Sequence, residues 1–85
     1  MDDNQKLKIK IVTQDSLLFD GEANRIIAPG QKGSSFAILP FHTPFFSKIY
    51  EGFIEVHNEN DVKKFESKRG IIRVINNEVL VITGI

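Results

Sequence analysis

The chain contains no cysteine and no tryptophan, and its three prolines are confined to one stretch, Pro29 to Pro44. Without cysteine there are no disulfides and no thiolate metal ligands, a composition that fits a reducing compartment. No sign of charge dominates. Eleven basic residues offset eleven acidic ones, which leaves no global field to attract nucleic acid or an anionic lipid surface. No apolar run approaches the roughly 20 residues needed to cross a bilayer. Met1 to Gln5 is acidic and polar, where a signal peptide would begin basic. The chain is therefore expected to be cytosolic unless a partner holds it at a membrane. Sustained helical periodicity is missing as well, over any window of about ten residues.

What is present is a series of short extended segments in one expected domain, residues 1–85. Lys6 to Ile11 alternates charged and apolar residues without a break, placing Leu7, Ile9 and Ile11 on one face and three lysines in water. Asp15-Ser16 interrupts the pattern before Leu17-Leu18-Phe19, and Asp20-Gly21 reads as a turn. Glu22 to Ala28 is the next expected strand, with Ala23, Arg25 and Ile27 on one side and Ile26 and Ala28 on the other. Phe36 to Leu39, Phe45 to Tyr50, Phe53 to His57 and Val62 to Glu66 follow, separated by the proline segment, by Gly52 and by the polar run Asn58 to Asp61. Ile71 to Ile75 and Glu78 to Ile82 flank Asn76-Asn77, a pair that tolerates the positive φ of a two-residue hairpin turn. The expected fold is all-β, a sandwich of two antiparallel sheets with about eight to ten short strands.

The last hairpin supports a register argument. With Asn76-Asn77 as the loop, Val74 faces Val79 and Ile72 faces Val81, so these four form the natural core face. The opposite face carries Ile71, Arg73, Ile75, Glu78, Leu80 and Ile82. It is too apolar for free exposure and calls for a covering layer or a partner. The segment from Pro29 to Pro44 cannot be one strand, because Pro40 and Pro44 have no N–H to donate. It divides into a glycine loop, a short apolar strand and a corner.

No catalytic constellation stands out. His42 and His57 lack the spacing of a zinc site, and no serine occupies a G-x-S-x-G elbow. His42 between two prolines reads as a corner residue bonded to backbone, and His57 as an exposed strand end. Gly30 to Ser35 has a superficial likeness to a phosphate loop, but Gly33 interrupts the required Gly-Lys-Ser order and a strand follows instead of a helix. Paired carboxylates such as Asp2-Asp3 and Glu59/Asp61 read as solvated. Phe36, Phe41, Phe45, Phe46 and Tyr50 could stack bases, but few basic residues interleave with them, and core packing explains them better. What remains is a rigid β body with a glycine loop and an apolar outer face, the anatomy of an interaction module.

Taken together, these residues resemble the N-terminal domain of the epsilon subunit of bacterial rotary ATP synthase. The family's I-V-T/S-P-E strand end is matched by Ile11 to Asp15, with Gln14 in place of proline. Its F-x-G-E/x-V stretch is matched by Phe19 to Ala23, and its P-G-x-x-G loop by Pro29 to Gly33. Its G-I-L-P-G-H-A-P corner is matched by Ala37 to Pro44, with Ala37 and Phe41 in place of glycines. A strand glycine aligns with Gly52, and the late family pattern aligns with Arg69 to Thr83. Lys32, Ser34 and Ser35 occupy the region where an acidic residue is usual.

The resemblance implies a two-sheet sandwich without catalysis, cofactor or nucleic-acid binding. It implies a mechanical role in the central stalk of a proton-translocating enzyme, coupling rotation of the membrane c-ring to the gamma subunit and the catalytic head. It sets the chain on the cytoplasmic face of the bacterial inner membrane, held there only through the complex. By the same resemblance, Gly30, Gln31, Lys32, Gly33, Ser34 and the neighbouring His42 are expected to meet the c-ring. Thr13 and Ser47, at positions that face gamma in the family, are expected to meet it, and the apolar outer face of the last hairpin (Ile71, Leu80 and Ile82) is added as a buried surface expected against gamma. The chain stops at Ile85, so the expected likeness is to short epsilon subunits that lack the two inhibitory C-terminal helices. The alternative reading is a stand-alone β module that binds a peptide or an oligosaccharide through Phe41, Phe45 and Phe46. A small hydrolase using His42 is a remote third.

Overall fold

A computed structural model describes residues 6–84; Asp2-Asp3 and the final Ile85 lie outside the described residues. Nine strands follow one another along the chain: β1 (Leu7–Val12), β2 (Leu17–Ala23), β3 (Arg25–Pro29), β4 (Ser35–Ile38), β5 (Phe45–Ile49), β6 (Gly52–Asn58), β7 (Asp61–Ser67), β8 (Gly70–Ile75) and β9 (Glu78–Thr83). They form a five-stranded sheet in the order β2-β1-β9-β8-β5 and a four-stranded sheet in the order β4-β3-β6-β7. The two sheets enclose a core of fourteen buried aliphatic side chains, among them Leu7, Ile9 and Ile11 from β1, Ile26 from β3, Ile54 from β6 and Val81 from β9. Burying each side chain of this size contributes about 1.5–3 kcal/mol.

Period-two alternation builds this core. β1 buries Leu7, Ile9 and Ile11 and exposes Lys8 and Lys10. The β8–β9 hairpin has the expected register, with Val74 opposite Val79 and Ile72 opposite Val81, all four buried. Asn76 and Asn77 both take positive φ, 52° and 63°, as a type I′ turn requires. Buried hydrophobic positions are aliphatic, and aromatic side chains close the open sides of the sandwich. Phe19 of β2 meets Phe65 of β7 with ring centroids 5.8 Å apart, and Phe36 of β4 meets Phe45 of β5 at 5.5 Å. Each pair joins the two sheets at one of their outer edges.

Three expectations are corrected. The larger sheet is mixed, because β1 and β9 pair in parallel, from Lys8 opposite Glu78 to Val12 opposite Ile82. A parallel pair needs a long crossover, and here nearly the whole chain is that crossover, so no local pattern announces it. Asp20-Gly21 is not a turn but the middle of β2, paired with Lys10 and Ile9. Gly21 leaves room for the ring of Phe19, whose tip would lie 3.2 Å from a Cβ there. The chain changes sheets at Asn24 instead, where its N–H bonds the carbonyl of His57 at 2.9 Å. Ala23 therefore belongs to the core face of β2, while Ile26 and Ala28 fill the core from β3.

Candidate functional site

The outer face of the five-stranded sheet is built in rows. One row runs Glu22, Lys8, Glu78 and Ile75 from β2 to β8. The next runs Asp20, Lys10, Leu80, Arg73 and Phe46, reaching β5. A third brings together Val12, Ile82, Ile71 and Lys48. Val12, Ile71, Leu80 and Ile82 therefore form an apolar patch on this face, with Lys10 and Arg73 flanking Leu80 and charges of both signs around it. Ile82 is 41% exposed, Ile75 44% and Phe46 67%, so no layer of the described chain covers it. Ile71, Leu80 and Ile82 thus share one surface, joined by Phe46, which the sequence reading did not include.

Thr13 and Ser47 behave differently. Thr13 borders the same face beside Ile71 and Ile82, but its side chain is committed to its own turn. Its hydroxyl oxygen accepts hydrogen bonds from the N–H groups of Ser16 and Asp15 at 3.0 and 3.2 Å. Ser47 lies on the other side of β5, in phase with the inward Phe45 and Ile49, and does not join the apolar surface.

The glycine loop closes on itself. The N–H of Gly30 bonds the carbonyl of Ser34 at 2.7 Å, and the Ser34 hydroxyl donates to the carbonyl of Gln31 at 2.7 Å. A single tight helical turn, Gln31–Gly33, places Lys32 at φ 57° and Gly33 at φ 79°. Nothing lies within 4 Å of a Cβ at Gly33, so it is the backbone conformation that favours glycine there. The loop is tied to the next sheet by the Tyr50 N–H, which donates to the Pro29 carbonyl at 3.0 Å. Lys32, Gly33, Tyr50, Glu51, Lys68 and Arg69 come together at this end of the sandwich.

His42 does not belong to that group. β4 runs antiparallel to β3, from Ser35 opposite Pro29 to Ile38 opposite Ile26, and so carries the chain away from the loop. The Pro40–Pro44 corner lies at the opposite end of the sandwich, where the Phe41 N–H donates to the side-chain oxygen of Asn77. At about 3.3 Å per residue, β4 alone separates the two by more than 10 Å. His42 shares a hydrogen bond of 2.8 Å with the Thr43 carbonyl and stacks edge-on to Phe45 at 5.5 Å, as a corner residue should. His57 is not an exposed strand end. β6 runs past it, and its half-buried ring bridges Glu55 at 2.8 Å and Arg25 at 3.2 Å. Because a guanidinium only donates, Nδ1 of His57 accepts from Arg25 and Nε2 carries the proton given to Glu55.

The exposed aromatics also divide. Phe36 and Phe45 pack against the core, but Phe41 and Phe46 are each 67% exposed and Tyr50 36%, contrary to the core reading of all five. Phe41 has φ 66°, the position where the family resemblance expects glycine. Phe45 turns inward, so Phe41, Phe45 and Phe46 do not form one platform.

Comparison with known proteins bears on these surfaces. The family model described as the ATP synthase delta/epsilon chain beta-sandwich domain matches residues 6–84. The chain belongs to this family. Its curated relatives include the ATP synthase epsilon chain of Leptospira interrogans, 28% identical over 92% of this chain, and ATP synthase epsilon chain 2 of Syntrophotalea carbinolica, 33% identical over 92%. The chain spans 61% and 56% of the lengths of those two relatives. Among solved structures it is similar to a chain of the Euglena gracilis mitochondrial ATP synthase, with a TM-score of 0.84 over 98% of this chain and 53% of that one, at 17% identity. A chain in the central stalk and c-ring structure of the Tetrahymena thermophila mitochondrial ATP synthase matches with a TM-score of 0.75 at 19% identity, over 95% of this chain and 65% of that one. At such identities the structural likeness speaks for the fold, and the family model carries the membership.

Proposed function

We propose that this chain works as the β-sandwich domain of an epsilon subunit in the central stalk of a proton-translocating ATP synthase. Its work is mechanical and non-catalytic, linking rotation of the c-ring to the gamma subunit and the catalytic head. The observation that carries the reading is the outer face of the five-stranded sheet. Leu80, Ile82 and Ile71 form an apolar patch flanked by Lys10, Arg73 and Lys48, the composition of a protein–protein contact. Gamma is its proposed occupant. The glycine-loop end, Gly30 to Ser34, is proposed to face the ring, and His42 is left out of that contact because it stands at the other end of the sandwich. The family membership and the central-stalk setting named for the Tetrahymena structure support this assignment. On this reading the chain works at the membrane only through the complex, on the cytoplasmic face of the bacterial inner membrane.

Co-purification tests it. Co-expressed with its own gamma subunit and c-ring, the tagged chain is expected to retain both. Ile82→Asp, which places a carboxylate on the apolar face, is expected to lose gamma while folding normally by circular dichroism. Retention of gamma by this variant would reject the proposed face.

A further inference from the structure

At the glycine-loop end a cleft of about 720 Å³ is lined by the loop, by the end of β5 with Tyr50 and Glu51, and by the corner between β7 and β8. Lys32, Lys48, Lys68 and Arg69 bring four cations to it, against the single carboxylate of Glu51. The chain as a whole is neutral, so this is a local concentration of charge. None of the four forms an ion pair with a described residue. The contrast with the sheet face is informative. There Lys8 stands between Glu22 and Glu78, and Lys10 stands opposite Asp20. On the sheet face Lys8 and Lys10 thus have carboxylates as register neighbours, whereas the cleft gathers four cations around one carboxylate. Lys32 also holds a left-handed conformation that disfavours a side chain of its size.

We propose that this cleft seats an acidic, extended peptide segment, a carboxylate-bearing loop of the ring. The cleft's charge stands on its geometry alone, whereas the ring as the source of the segment rests on the function proposed above. Shape decides between a peptide and an anionic membrane. A flat bilayer would touch only the rim of a concave site, while an extended segment lies along it and brings carboxylates to both walls. Long-range attraction between such charges speeds encounter and sets register.

The test uses the 85-residue chain, whose core is closed by its own strands, and a fluorescently labelled oligoglutamate peptide read by anisotropy. Binding is expected, weakening as salt is raised. In the double variant Lys68→Glu with Arg69→Glu, affinity is expected to fall by roughly tenfold or more, because two attractions become repulsions. Both side chains are exposed, so the thermal midpoint should stay close to that of the parent. Lys8→Glu with Lys10→Glu, on the sheet face, is expected to leave affinity within about twofold. Absence of binding, equal binding by the cleft variant, or capture by phosphatidylglycerol vesicles without peptide binding each overturns the proposal. If the chain co-purifies with its ring yet ignores the peptide, the acidic segment is rejected and the central-stalk function stands. If the peptide binds but the ring does not co-purify, the ring is rejected as the source.

Discussion

Gly70→Ala probes the closest approach to backbone that an added Cβ would make at any of the six glycines. Gly70 opens β8 opposite Thr83, and a Cβ built on it would lie 1.9 Å from the Ile82 carbonyl oxygen and 2.8 Å from the Thr83 Cα. An ordinary carbon–oxygen contact is about 3.3 Å, so β8 and β9 would have to separate locally by about 1.4 Å. Both obstructing groups are backbone, and no side-chain rotation relieves them. Overpacking of this kind costs about 1–3 kcal/mol, and loss of one or two ladder bonds adds about 0.5–1.5 kcal/mol each. The reduced freedom of alanine in the unfolded chain returns about 0.4–1 kcal/mol. The net loss is about 0.5–5.5 kcal/mol, and its central value of about 3 kcal/mol lowers the thermal midpoint of a domain of this size by roughly 10 °C or more. Gly21→Ala is the matched control. Its Cβ meets only the Phe19 ring at 3.2 Å, a side chain able to move, and its cost should stay within about 1 kcal/mol. Thermal and urea unfolding followed by circular dichroism measure both. A Gly70→Ala midpoint within about 2 °C of the parent, or a Gly21→Ala loss as large as that of Gly70→Ala, would refute the steric argument.

Two further outcomes are expected. Phe41→Gly should leave stability unchanged or slightly raised. Release from φ 66° returns about 1 kcal/mol, offset by the greater freedom of glycine when unfolded, and an exposed ring gives up little packing; Phe41→Val should destabilise, and urea midpoints distinguish the two. Ser67 and Thr83 are buried and share a hydrogen bond of 2.9 Å, but only Thr83 has the Arg69 and Gly84 carbonyls as other acceptors. Thr83→Val therefore strands the Ser67 hydroxyl and should cost about 1–3 kcal/mol, while Ser67→Ala should cost about 1 kcal/mol. A double variant no less stable than Thr83→Val would verify the coupling.

Much of the fold was legible because it rests on local rules. The β1 alternation and the Asn76-Asn77 turn fixed register before any contact was known, and the buried set of β8 and β9 followed from them. What escaped depended on distant partners. The parallel pairing of β1 with β9 joins the two ends of the chain, and Gly21 looks like a turn until the Phe19 ring above it is seen. The candidate surfaces divided in the same way. Ile71, Leu80 and Ile82 were legible from hairpin register. His42 was expected beside the glycine loop, but the strand between them runs to the other end of the sandwich. Lys48, Lys68 and Arg69 left no local sign, since they reach the loop only through sheet pairing and the bond from Tyr50 to Pro29.

The central claim is that this domain transmits rotation, and ATP-driven proton pumping measures it most directly. In vesicles carrying the synthase assembled with this chain, ATP hydrolysis is expected to acidify the lumen. Assembled without the chain, or with the Ile82→Asp variant, the enzyme is expected to hydrolyse ATP while pumping falls away. Full pumping in the absence of the chain would contradict the account.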